Sequence, residues 1–198
     1  AGGSLTIVDG GKVFNTGSAI GMSNGTDSTS SITVTGPGSL LSGGSLQVGN
    51  VGKSTLLVSD GGKITGSSGW IGFANGGEGD ATITGAGSSW AITGGFSMDG
   101  DSTFEILNGA TFAAGNSSLG EGPDAISTAT ISGSGSAWTN STTMVVGYSG
   151  TATLNIGAGT SVSTGNWLRI GQDETSKGTI IQTGGTVDIG TYLQFNAG

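Results

Sequence analysis

The chain has 198 residues, carries 13 acidic against 5 basic side chains for a net charge of −8, and contains neither cysteine nor histidine. This excludes disulfides, Ser-His-Asp and Cys-His catalysis, and zinc centres of the usual kind. The bases Lys12, Lys53, Lys63, Arg169 and Lys177 are scattered, so there is no footprint for nucleic acid or for an anionic membrane surface, and no run of 18 apolar residues could span a bilayer as a helix.

The predicted elements begin with a strand, a Gly-Gly turn and an apolar residue: Leu5-Thr-Ile-Val-Asp-Gly-Gly-Lys-Val13. An apolar–Gly marker, Ile20-Gly21, follows. Next comes a second flavour of strand and turn, Thr33-Val-Thr-Gly-Pro-Gly-Ser-Leu-Leu41, and the marker Val48-Gly49. The first flavour returns as Leu56-Leu-Val-Ser-Asp-Gly-Gly-Lys-Ile64, with Ile71-Gly72 after it. The second returns as Thr82-Ile-Thr-Gly-Ala-Gly-Ser-Ser-Trp90, with Met98-Asp99 in the marker slot. Phe104 to Phe112, then Leu119-Gly120, continue the series. Thr130-Ile-Ser-Gly-Ser-Gly-Ser-Ala-Trp138 and Val146-Gly147 follow. Leu154 to Val162 with Ile170-Gly171, and Thr179 to Val187 with Phe195-Asn196, complete it.

The markers step by 28, 23, 27, 21, 27, 24 and 25 residues, a mean of 25, and the second flavour recurs every 48–49. Periods of this size mean stacked repeats. Gly numbers 43, and with 28 Ser and 27 Thr makes up about half the chain. A flexible linker of that composition would lack the recurring apolar triplets. Gly in helix interiors is costly and no 3.6-residue period persists. Period-2 stretches such as Thr-Ile-Thr read as strands, and the Gly, Asn, Asp and Ser between them as turns.

The predicted fold is therefore all-β: a right-handed parallel β-helix, or β-solenoid, of about eight coils of roughly 25 residues, the hand following from the crossover rule. At the strand spacing of about 4.8 Å it would be a rod roughly 40 Å long. The chain reads as one solenoid segment of something longer, in paired-coil repeats of approximately 1–43, 44–94, 95–143 and 144–198. Val13, Ile64, Phe112, Val162 and Val187 are expected to form one interior ladder. Ile20, Val48, Ile71, Met98, Leu119, Val146 and Ile170 are expected to form another. Leu41, Trp90 and Trp138 share a register in alternate coils. Trp is large for a thin core, so these take either core positions, or a wide corner or surface where a ligand stacks.

The Asp-Gly-Gly-Lys-Val/Ile turns at 9–13 and 60–64, the apolar–Gly markers and the 82–90 segment resemble the repeats of bacterial autotransporter passengers and the closely similar PEP-CTERM-associated repeats. The resemblance covers essentially the whole chain. It implies export and display on the cell surface as a β-helical stalk. Families of this kind include adhesins, biofilm factors and some enzymes. Their C-terminal membrane barrel or sorting signal is not present in this sequence.

Chemistry, if any, rests on carboxylates. The pairs are Glu78 with Asp80, Asp99 with Asp101, Glu121 with Asp124, and Asp173 with Glu174, all expected in turns after the marker and so along one edge of the rod. A solvated edge, a calcium site at Glu78, Asp80, Asp99 and Asp101, and a catalytic pair are the alternatives. Gly76-Gly-Glu-Gly-Asp80 is the nearest approach to a calcium-binding β-roll repeat. No cofactor is expected apart from that calcium. Thr-x-Thr at 33–35 and 82–84 resembles an ice-binding array interrupted by Glu105, Ser132 and Asn155. Expected partners are a host or cell-surface glycan or protein, or a second copy through the solenoid ends. The leading functional expectation is a non-catalytic structural or adhesive surface segment, and the alternative a carbohydrate-active β-helix enzyme or carbohydrate-binding module.

Overall fold

The computed structural model describes residues 2–73 and 77–196. Every regular element among them is a strand. The strands form three eight-stranded sheets, each parallel throughout, and each coil contributes one strand to each sheet. The fifth coil is representative: Asp101–Leu107 lies in the first sheet, Thr111–Ala114 in the second and Asn116–Leu119 in the third. The protein is a β-solenoid of eight coils of about 25 residues.

Alternation along each strand decides which side chains enter the core. In the first sheet Ile7, Val34, Val58, Ile83, Ile106, Ile131 and Ile156 stack in register, and the column ends on Gln182. In the second sheet the two series read separately from the sequence merge into one column: Val13, Leu41, Ile64, Trp90, Phe112, Trp138, Val162 and Val187. Trp90 and Trp138 are fully buried, so they are core residues.

A thin solenoid accommodates them by trading volume between sheets. Where Trp90 and Phe96 enter the fourth coil, the facing first-sheet residue is Ala81. Where Phe104 and Phe112 enter the fifth, the third sheet supplies Ser117. Where Trp138 and Met144 enter the sixth, the first sheet supplies Ala129. Large residues on one sheet are thus met by small ones on another, as close packing requires. Gly69 extends the rule to the third coil, since a Cβ there would stand 2.7 Å from the Trp90 indole. Trp90, Phe96, Phe104, Phe112 and Trp138 meet mostly edge to face, with centroids 4.7–5.9 Å apart. Each such pair adds about 0.5–1.5 kcal/mol to what its burial contributes. The indole N–H groups of Trp90 and Trp138 have no hydrogen-bond partner, which offsets part of that gain.

The third sheet corrects one expected ladder. Ile20 pairs with Leu46, not Val48. Its column runs on through Gly69, Phe96, Ser117, Met144 and Leu168. The column through Val48, Ile71, Met98, Leu119, Val146 and Ile170 stands as expected, and two-residue alternation puts buried Met22 in its first slot. The sequence disguises this because the residue after Met22 is Ser23, not Gly. Ser23 adopts the same left-handed backbone, φ 55°, as Gly49 and Gly72 in the corresponding turns. Its Oγ donates to the Lys53 carbonyl at 2.8 Å and accepts from Ser54 Oγ at 2.9 Å. Those bonds help hold a backbone conformation that ordinarily costs a non-Gly residue about 1–2 kcal/mol.

The two turn flavours have different backbones and lock together. Asp60 and Gly61 both take positive φ, 52° and 83°, whereas Gly85 and Gly87 do so on either side of Ala86, at 88° and 85°. The second flavour carries a buried Ser after its last Gly. The Gly10 N–H donates to Ser39 Oγ at 3.1 Å, Gly61 to Ser88 at 3.0 Å, and Gly109 to Ser136 at 3.0 Å. The first coil is therefore fastened to the second, the third to the fourth and the fifth to the sixth. In these six coils the longer sequence period is this bonded pair.

Candidate functional site

The acidic edge is less uniform than expected. Glu78, Asp80 and Asp101 are not in turns: Glu78–Thr84 and Asp101–Leu107 are first-sheet strands. The turn before them is shorter than the sequence implies, because strand pairing starts at Glu78 against Lys53. Lys53 Nζ lies 3.3 Å from Glu78 and 3.9 Å from Asp80. Both groups of the closer pair are about half exposed, at 57% and 49%, so the pair is worth at most about 1 kcal/mol. Asp80 also accepts from Thr103 Oγ1 at 2.6 Å.

Asp99 does sit in a turn. Its Oδ1 accepts from the Gly100 and Gly122 N–H groups, at 2.7 and 3.0 Å. It bridges the fourth coil to the fifth in the way a helix N-cap satisfies orphan amides. Glu121, Asp124, Asp173 and Glu174 lie outside the strands, as expected. Among the described residues no three carboxylates gather as a metal would need. Gly76, the first residue of the β-roll-like segment, lies outside the described residues. The outward Thr-x-Thr positions lie in columns that also carry Leu57, Glu105, Asn155 and Ile181.

The most differentiated surface is on the third sheet. Its eight strands contain no acidic residue, and their single charge is Arg169. Trp167 and Arg169 alternate outward from Trp167–Ile170, while Leu168 is buried. Tyr192 lies beside Trp167 in the next coil, with centroids 5.4 Å apart and planes at 79°. The Arg169 guanidinium carbon stands 4.9 Å from the Trp167 ring centroid. Arg169 Nε donates to Gln194 Oε1 at 3.2 Å, and Nη1 donates to Gln172 Oε1 at 2.9 Å. No carboxylate lies within 4 Å of the guanidinium among the described residues.

Farther along the same face, Trp70 meets Phe73 edge to face at 5.2 Å. Trp70 and Arg169 belong to one outward column, through Ser97, Ser118 and Val145. This face was missed in the sequence, although Trp167-Leu-Arg-Ile170 carries its signal: a strand with an aromatic and a cation on the side opposite its apolar residues. Comparison with family models, with curated proteins and with solved structures gives no match.

Proposed function

We propose that this chain is a non-catalytic structural and adhesive segment of an extracellular rod, of the kind displayed by autotransporter passengers. The observation that supports it is the continuity of the stack. The three-sheet cross-section repeats through eight coils, and side-chain volume is exchanged between sheets to preserve it. In such a molecule length and rigidity are the product of the sequence, and specificity resides on the outward faces. The acids serve turns and a surface ion pair, which fits a scaffold. Solution scattering from the purified chain tests the rod: an elongated particle of cross-section constant along its axis is expected, and a globular one would overturn it. A polysaccharide-cleavage assay tests the absence of catalysis, which turnover abolished by Glu78→Gln or Asp80→Asn would overturn.

Self-association belongs to the same reading. In the isolated chain the last coil exposes Phe195 at 68% and Leu193 at 51%, members of the inward columns through Ile170 and Leu168, beside strand edges that invite pairing. Light scattering at rising concentration should show oligomers; a strict monomer would remove end-to-end assembly from the proposal.

A further inference from the structure

The acid-free third sheet has the chemistry of a ligand surface, and we infer that it binds an anionic polysaccharide, a chain of sugar rings bearing carboxylates. The site is centred on Trp167, Arg169 and Tyr192. A guanidinium has five N–H donors in a fixed fork. Two are taken by the neutral acceptors of Gln194 and Gln172, which fix its plane and leave its charge uncompensated. Three donors remain, directed by a preorganised group and suited to a carboxylate. A structural role is the simpler use of an arginine in a chain with 13 acids, yet this one is held by amides. Arg169 covers one face of Trp167, and Tyr192, set at 79° to that ring and 58% exposed, offers an aromatic surface of the kind that packs against the C–H faces of sugar rings. The two features recognise different parts of one ligand.

The rest of the face fits an extended chain. Outward Ser97 and Ser118, small and polar, and then the covered Val145 separate Arg169 from the Trp70–Phe73 pair. The separation is four strands, on the order of 19 Å. A polysaccharide lying along the rod axis would meet an aromatic pair near each end and hydroxyls between. The third-sheet strands themselves hold none of the acids, and Asp173, which follows Gln172, accepts a hydrogen bond from Ser149 Oγ at 2.6 Å. These side chains point away from the stack, so coils added at either end leave the surface open.

The inference rests on the adhesive reading for its setting, but its test is separate, since scattering reports the rod and calorimetry the ligand. Sodium alginate oligosaccharides are titrated into the full chain in the presence of a chelator. Dextran oligosaccharides and polyglutamate serve as the neutral-sugar and non-sugar anionic probes. Alginate is expected to bind, more weakly as salt rises, with a change in Trp fluorescence. Arg169→Gln and Tyr192→Ser should each weaken it at least tenfold while the protein stays folded with a melting temperature only a few degrees lower, and Arg169→Lys should weaken it partially. Absent binding, binding indifferent to Arg169→Gln, or equal binding of dextran or of polyglutamate would each overturn the inference.

Discussion

The backbone N–H of Gly61 donates to the hydroxyl of Ser88, 27 residues later and one coil away, at 3.0 Å. Ser88 is buried and sits in a Gly-Ala-Gly-Ser turn, whereas Gly61 sits in an Asp-Gly-Gly turn. Ser88→Ala should therefore strand an amide that has no other strong acceptor, at about 1–3 kcal/mol. Chemical denaturation checks it, and an equal loss for Ser89→Ala on the outward side would count against the special role of the cap.

Gly69→Ala should destabilise the protein by about 1–3 kcal/mol through overpacking against the Trp90 indole. The coupling to Trp90 is the stronger claim. In a Trp90→Leu background the same change should lose most of its effect, and a double-mutant cycle measures this. Additive losses would mean that Gly69 is required for some other reason.

Trp138→Ala should cost about 3–5 kcal/mol, because the fifth and sixth coils would retain a cavity. Trp138→Phe should cost far less, since it removes some volume but also removes an indole N–H that is buried without a partner. Thermal melts of the two variants compare them directly.

Lys53→Gln removes the ion pair with Glu78 and the longer contact with Asp80. The expected loss is below about 1 kcal/mol and should shrink further at high salt. Added calcium should leave the wild-type melting temperature unchanged, and a rise of several degrees would restore calcium to the acidic edge.

The fold was readable in the sequence because a stack repeats its physics every coil. Apolar alternation, Gly-rich turns and a period near 25 state the strand, the reversal and the neighbour. What eluded reading depended on contacts between coils. Ile20-Gly21 imitates the apolar–Gly marker, while Met22-Ser23 occupies its place, because Ser23 gains hydrogen bonds that hold a glycine-like backbone. The sequence allows the two tryptophans a core or a surface position, and the compensating Gly69, Ala81 and Ala129, which decide for the core, lie on other sheets. The acids at 78, 80 and 101 were placed in turns, since the strand start depends on pairing with Lys53. The third-sheet face was hidden because its residues are scattered from Trp70 to Gln194 and converge only when the coils are superposed.

The Gly-to-Ser fastening has a consequence for how such a molecule changes size. A single inserted or deleted coil would bring two turns of one flavour together, leaving an amide without its hydroxyl or a hydroxyl without its amide. Removing two adjacent coils, for instance residues 53–100, leaves the Gly10–Ser39 and Gly109–Ser136 links whole. Within the first six coils, duplication and loss of coding sequence should therefore be tolerated in even steps, each changing the reach by twice the strand spacing.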